Sequence, residues 1–217
     1  MSMQIEAFAD RELASAATAE LLAQALATAL EQQQTATLVV SGGSTPQRSF
    51  QHLAQQPLDW QRVQVTLSDE RCVPRDHADS NERMVREHLL TARAAAAEFL
   101  PLNKVTPATF AAVLLGMGTD GHFASLFPDA DNLARGLDLQ NPDPTIAINT
   151  AASPYPRLSL TLARLLRTDC LCLLAFGADK RTILENPDNT PVAHLLRHET
   201  THTAARNHAP CRVLWAA

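Results

Sequence analysis

Three short apolar runs in this chain end in glycine turns, and this pattern constrains the fold more than any other feature. The runs cover residues 37–40, 111–115 and 171–176. The chain has only seven glycines, so their placement after these runs marks the turns as special. A short buried strand followed by a glycine turn and a helix is the unit from which parallel α/β sheets are built. The chain is therefore expected to form an open sheet with ligand sites at its carboxyl edge.

Helical and strand patterns alternate along the rest of the sequence, which supports the same fold class. Further strands are predicted at 63–67, 145–148 and 211–215, and helices at 10–33, 46–53, 80–90, 177–185 and 191–197. Asp10 is the expected N-cap of the first helix, with Leu13 opening its apolar face. Residues 92–110 show no regular spacing of apolar residues. Residues 158–166 are apolar, and the spacing of their apolar residues shifts towards that of a helix. We expect one α/β domain over residues 1–217, with a doubly wound, mostly parallel sheet covered by helices on both faces.

The composition of the chain excludes some classes of function. Hydrophobic residues make up 46% and charged residues 19%, as in a soluble globular protein. The net charge of −5 argues against nucleic acid as a partner, and the longest apolar runs are too short to span a bilayer. Because the N-terminus lacks a basic-then-apolar signal, we expect a cytoplasmic protein. We also expect it to be a monomer or a weak homo-oligomer. We expect Cys72, Cys170, Cys172 and Cys211 to be reduced.

The first glycine turn has the composition of an anion site. It reads Ser41-Gly42-Gly43-Ser44-Thr45-Pro46, and Pro46 suits the first turn of a helix. A strand, a glycine turn and a helix N-terminus aim free N–H groups at an anion, and Ser44 and Thr45 add hydroxyl donors. The sequence matches neither a Walker loop nor a dinucleotide turn. An ordinary strand-to-helix turn with a Ser/Thr cap explains it equally well.

The second glycine turn carries the candidate chemistry. It contains Gly116, Gly118 and Gly121, with Asp120 and His122 among them. Histidine is the side chain there that can accept a proton near neutral pH. Backbone N–H groups of such a turn can approach a ligand and stabilise an oxyanion.

A third stretch, Asp69-Glu70-Arg71, follows the predicted strand 63–67. The guanidinium of Arg71 could bind phosphate or carboxylate at the carboxyl edge of the predicted sheet. A solvated cluster of charges is the common alternative.

Taken together, these stretches resemble one family. The matching segments, in order along the chain, are Ser41–Pro46, Asp69–Arg71 with Val73-Pro74 and Ser80-Asn81, Gly116–His122 with Ala124–Pro128, Arg157–Thr161, and Gly177 with Lys180. Each motif is weak alone, but their combination resembles the 6-phosphogluconolactonase family. The resemblance covers most of the chain, from about Leu38 to Lys180.

The resemblance implies the fold of glucosamine-6-phosphate deaminase and hydrolysis of 6-phospho-D-glucono-1,5-lactone, a sugar-phosphate lactone. It implies that His122 is the general base and that Arg71 and Lys180 are cations beside the phosphate. Asp120 is our candidate to support His122, and no metal or cofactor is needed for this route. The residues expected to bind substrate are Gly42, Gly43, Ser44, Thr45, Asp69, Arg71, Gly116, Gly118, Gly121, Arg157 and Lys180.

The chain departs from the family pattern at two places. Phe123 stands where a threonine is usual, and the segment 102–110 looks short. Phe127 occupies the position of a glutamate in the deaminase branch of the family, which favours lactonase over deaminase. A non-catalytic sugar-phosphate binder is a further alternative, and the presence of both Asp120 and His122 argues against it.

A zinc site is an alternative of another class. The residues His198-Glu199-Thr200-Thr201-His202 match H-E-x-x-H literally, and His208 has the spacing of a third ligand. Three threonines in and beside the pattern weaken a helix there, and Ala205 stands where a glycine is expected. We interpret the motif as a chance match.

Overall fold

A computed structural model describes residues 5–105, 108–201 and 211–217, without the side chains of 198–201. The strands are β1 Ile5–Ala7, β2 Ala36–Val40, β3 Val63–Leu67, β4 Asp69–Arg71, β5 Glu98–Phe99, β6 Ala112–Leu115, β7 Thr145–Ile148, β8 Arg157–Leu160, β9 Leu171–Phe176 and β10 Cys211–Ala216. The helices are α1 Arg11–Gln32, α2 Gln47–Leu53, α3 Asn81–His88, α4 Leu133–Leu137, α5 Leu162–Leu165, α6 Ala178–Glu185 and α7 Pro191–Thr201.

Seven strands form one parallel sheet, in the order β1-β10-β9-β6-β2-β3-β5. This confirms the predicted α/β fold class. From β2 the chain proceeds outward through β3 to β5, then returns to β6 on the other side of β2 and continues to β9 and β10. The order of strands therefore reverses between β2 and β6. In open α/β sheets ligands bind beyond the carboxyl ends of the strands at such a reversal.

A second, smaller sheet was not predicted. Strands β4, β8 and β7 pair antiparallel, and the chain passes from the main sheet into this one at Ser68. The amide of Ser68 still donates to the carbonyl of Val40 in β2, while its carbonyl accepts from Leu160 in β8. The charged stretch 69–71, expected to follow the end of a strand, is thus itself a strand, and the apolar segment 158–166 contains most of β8 and all of α5. Asp69 and Ser159, which lie opposite each other in this sheet, are 90 residues apart in sequence, so the local pattern could not reveal their pairing.

Helix α1 packs on the sheet and on α2. Asp10 caps it as predicted, with its carboxylate 2.8 Å from the amide of Leu13. The prediction that Leu13 opens the apolar face is wrong, because its side chain is 51% exposed. The buried face instead includes Ala14, Leu22 and Leu26. Within the described ranges, α1 is the single helix long and apolar enough to cross a membrane, and one of its faces packs on the sheet and on α2.

The four cysteines are free. Cys170, Cys172 and Cys211 are buried, whereas Cys72 is exposed. Burial raises the pKa of Cys170 to about 11, so its thiol stays protonated at neutral pH. These three cysteines are therefore core residues without nucleophilic character.

Candidate active site

A cleft of about 250 Å³ lies at the carboxyl edge of the main sheet, where the strand order reverses. The turn after β2 forms one wall and the turn after β6 forms another. The small antiparallel sheet closes the cleft from a third side. The residues that line it are Ser41, Gly42, Gly43, Ser44, Thr45, Asp69, Arg71, Asn81, Gly116, Met117, Gly118, His122, Ala124 and Arg157. Three segments that are far apart in sequence, each predicted as a candidate, therefore meet in one place.

Asp120 holds the ring of His122 through one nitrogen. The distance between His122 Nδ1 and Asp120 Oδ1 is 2.6 Å, and the same oxygen accepts from the amide of His122 at 3.1 Å. A carboxylate beside Nδ1 favours the tautomer with the proton on Nδ1. Nε2 is then the nitrogen with a free lone pair. The side chain of His122 is 26% exposed, at the cleft wall.

A tight reversal after His122 brings an aromatic ring back over it. Phe123 and Leu126 form an isolated antiparallel bridge, and Ala124 between them adopts φ 49°. As a result the ring of Phe127 stacks on the imidazole, with centroids 4.0 Å apart and planes inclined by 29°. Asp120 and Phe127 thus contact one edge and one face of the imidazole.

The antiparallel register explains how charges reach the cleft. Arg71 lies opposite Arg157, and Asp69 lies two residues before Arg71, so the three side chains share one face of the ribbon. Glu70 points to the other face, where its carboxylate accepts from the amides of Asn81 and Glu82, each at 2.8 Å. Glu70 therefore caps helix α3, while the residues on either side of it line the cleft.

Asp69 and Arg157 form a buried ion pair in the cleft wall. Arg157 Nη1 lies 3.4 Å from Asp69 Oδ2, and the same oxygen accepts from the Ser125 hydroxyl at 2.5 Å. The other oxygen of Asp69 accepts from Ser68 at 2.8 Å. Burial lowers the pKa of Arg157, and the Asp69 carboxylate opposes that shift. Because three groups hold Asp69, it acts as a structural counter-ion in the cleft wall.

Arg71 is anchored differently from Arg157. Its Nη1 donates to the carbonyl of Asp79 at 2.6 Å, and its Nε is buried without a hydrogen-bond partner among the described residues. A buried donor without an acceptor is costly unless a ligand completes it. Arg71 is therefore the cation in this cleft most ready to accept an anion.

The two glycine turns differ in how their amides are used. In the described chain the amides of Gly42, Gly43, Ser44 and Thr45 donate to no protein acceptor, and Gly43 adopts φ 88°. By contrast, Gly116 N–H donates to Ser41 Oγ, Gly118 N–H to the carbonyl of His122, and Gly121 N–H to the carbonyl of Gly118. The turn after β2 is thus free to bind an anion, whereas the three glycine amides after β6 maintain the loop.

Two predicted substrate contacts do not line the cleft. Gly121 packs against Thr190, and its carbonyl accepts from the amide of Val192, so it docks helix α7. Lys180 is half-buried in the first turn of α6, where burial and, secondarily, Arg11 lower its pKa. The described residues provide it with no hydrogen bond or ion pair.

The cleft also includes residues that the sequence analysis did not assign to it. They are Ser41, Asn81, Met117 and Ala124. Asn81 is the most informative: its side chain packs against Gly42, where a Cβ would lie 2.6 Å from Nδ2, and donates to the carbonyl of Asp69 at 2.8 Å. An asparagine directly after the Ser80 cap was visible in the sequence, but its contact with Gly42 requires the fold.

The zinc alternative falls largely outside the described part of the chain. His202 and His208 lie beyond it, as do the side chains of His198 and Glu199. Among the residues that are described, no group of three His, Cys, Asp or Glu side chains is arranged to hold a metal ion.

The fold and cleft together define an α/β protein whose cleft presents free backbone amides and two arginines, the kinds of group that bind anions. A family model described as glucosamine-6-phosphate isomerases/6-phosphogluconolactonase matches residues 9–108 and 101–204. The chain therefore belongs to that family.

Its relatives within the family are named as lactonases. The chain is 40% identical to the 6-phosphogluconolactonase of Caulobacter vibrioides, over 99% of this chain and 97% of that protein. It is 34% identical to that of Rhizobium meliloti over the full length of both. The crystal structure of a 6-phosphogluconolactonase from Shewanella baltica superposes with a TM-score of 0.86 at 33% identity, covering 99% and 98% of the two chains. A monomeric glucosamine-6-phosphate deaminase shares the fold at 17% identity, with a TM-score of 0.72.

Proposed function

We propose that this enzyme hydrolyses 6-phospho-D-glucono-1,5-lactone to 6-phospho-D-gluconate, a step of the oxidative pentose phosphate pathway. The observation that carries the proposal is the 2.6 Å contact between His122 Nδ1 and Asp120, which leaves the other ring nitrogen as a base at the cleft. The names of the relatives supply the substrate. We place the enzyme in the cytoplasm, as a monomer or weak homo-oligomer.

His122 activates the attacking water in the proposed mechanism. Nε2 accepts a proton from water while the oxygen forms a bond to the lactone carbonyl carbon. Asp120 stabilises the imidazolium that results. When the tetrahedral intermediate collapses, the ring C–O bond breaks and the proton passes from Nε2 to the departing sugar oxygen. The product then carries a carboxyl group and a free hydroxyl, and His122 returns to its neutral form.

We assign the oxyanion to the amide of Met117. Because the amides of Gly116, Gly118 and Gly121 are already bonded, they are poor candidates for this role. Met117 lines the cleft, and its N–H has no acceptor within the described structure. A fixed donor directed at the developing negative charge stabilises it without reorganisation.

The phosphate is assigned to the turn after β2 and to Arg71. Four consecutive amides without acceptors, from Gly42 to Thr45, form a concave group of donors suited to phosphate oxygens. The unpartnered Nε of Arg71 adds charge. Lys180 remains a predicted phosphate contact, although it does not line the cleft. Binding the remote phosphate positions the lactone carbonyl beside His122.

The test is a coupled assay in which a 6-phosphogluconate dehydrogenase reports lactone hydrolysis above the uncatalysed rate. We expect turnover of the phosphorylated lactone, and much lower kcat/KM for unphosphorylated gluconolactone. Glucosamine 6-phosphate is the control, and ammonia release from it is expected to be at background. Deamination of the control without lactone hydrolysis would overturn the proposal.

A further inference from the structure

Phe127 lies between the proposed base and the buried cation of the cleft. One contact is the stack on His122, with centroids 4.0 Å apart. The other is Arg157, whose guanidinium carbon is 5.2 Å from the centre of the same ring. Phe127 is itself 4% exposed, so its position is fixed by the surrounding core. The ring is therefore a common support for two groups that would act on the same substrate.

The imidazole of His122 is restrained from several directions. Asp120 binds Nδ1, and Gly118 packs so closely that a Cβ there would overlap the ring at Nδ1 and Cε1. The stacked Phe127 covers one face. Removing the phenyl ring leaves the hydrogen bond to Asp120 as the main restraint, and a single hydrogen bond permits the imidazole to swing about it.

Arg157 is restrained in a corresponding way. Its Nε donates to Ser153 at 3.0 Å, and its Nη1 lies 3.3 Å from Ser125 and 3.4 Å from Asp69. These contacts fix the edge of the guanidinium, and Phe127 lies beneath it. A guanidinium over an aromatic ring is attracted to it, the more so where water is excluded.

We infer that Phe127 is a positioning residue for the reaction, and that its ring sets the placement of His122 relative to Arg157. This inference rests on the proposed lactonase function and concerns the same cleft. Phe127 contributes no proton and no charge. Its effect is to keep the Nε2 edge of His122 directed into the cleft, so that the water and the carbonyl meet at reactive distance.

The substitution Phe127→Leu tests this, because leucine fills much of the volume but has no planar face. We expect kcat to fall by roughly ten- to a hundredfold with KM changed less than about threefold, since misplacing a catalytic group by about 1 Å costs that much. Phe127→Tyr keeps the ring and is expected to retain most of kcat. The matched control is Phe110→Leu: Phe110 is buried, and its ring lies beneath the guanidinium of Arg164, outside the cleft walls. It is expected to lower the melting temperature and to leave kcat within about twofold.

A second measurement does not depend on activity. The ring current of Phe127 should shift the carbon-bound ring protons of His122 upfield in the NMR spectrum, and Phe127→Leu should abolish that shift while Phe110→Leu preserves it. If the shift is lost as expected but the wild type hydrolyses no lactone, the proposed function fails and the stacking stands. If Phe127→Leu and Phe110→Leu have equal kcat in an active enzyme, or if only KM rises, the positioning role is refuted.

Discussion

Gly118→Ala is the substitution whose effect follows most directly from the geometry. A Cβ at residue 118 would lie 2.6 Å from Asp120 Oδ1 and closer still to the ring of His122, whereas ordinary contacts of a Cβ begin at about 3.4 Å. The histidine and aspartate must therefore move together by about 1 Å. Gly118 has no positive φ, so alanine suits its backbone and the variant isolates the collision. We expect kcat to fall roughly a hundredfold, and the overpacked loop to lose about 1–3 kcal/mol of stability.

Gly118→Ala in a His122→Ala background shows how much of the lost stability is due to the collision between the new Cβ and the imidazole. Without the imidazole most of the overlap disappears, so the stability lost on Gly118→Ala should shrink, as measured by urea unfolding of the four members of a double-mutant cycle. Turnover is measured with the coupled lactone assay. Equal stability loss in both backgrounds, or wild-type turnover in Gly118→Ala, would refute the claim that Gly118 makes room for the catalytic pair.

Three further substitutions probe separate parts of the account. Asp120→Asn should reduce kcat about tenfold to a hundredfold with little change in KM, because an amide no longer secures the proton on Nδ1 of His122, and steady-state kinetics will show it. Arg71→Ala should raise KM for the phosphorylated lactone but not for unphosphorylated gluconolactone; equal effects on both would remove its phosphate role. Glu12 has its pKa lowered from 4.5 to about 2, chiefly by the hydrogen bond from Arg48. The folded pKa is below the unfolded one, so this stabilisation is present above pH 4.5 and lost as the pH falls towards 2. Melting temperatures should therefore drop less steeply over that interval in Glu12→Gln than in the wild type.

Five of the seven strands of the main sheet could be predicted from the sequence because they are local apolar signals. The two edge strands, β1 and β5, were not predicted, since they have only three and two residues. Strand β9 is a continuous apolar run, as expected for a parallel strand buried on both faces. The same is true of β6, the apolar run that ends at Leu115. The small antiparallel sheet could not be predicted in this way. Strands β4 and β8 have only three and four residues and contain charges, and their stability comes from pairing with each other across a long sequence separation.

In the candidate site, too, the sequence could predict some features and not others. The sequence indicated His122, Asp120 and Arg71, because their residue types and neighbouring glycines have chemical meaning. It could not indicate that the amide of Gly118 is already bonded to the carbonyl of His122, since backbone donors have no residue type. Nor could it show that Phe127 folds back over His122, because that depends on the reversal at 123–126.

The central claim is that His122 removes the proton from the attacking water. The most direct test is kcat of His122→Ala for 6-phosphogluconolactone, beside His194→Ala, which removes an exposed histidine of α7 outside the cleft walls. The account predicts a loss of about 10²- to 10⁴-fold for His122→Ala with an unchanged fold and similar KM, and wild-type kcat for His194→Ala. Turnover of His122→Ala close to that of the wild type would contradict it.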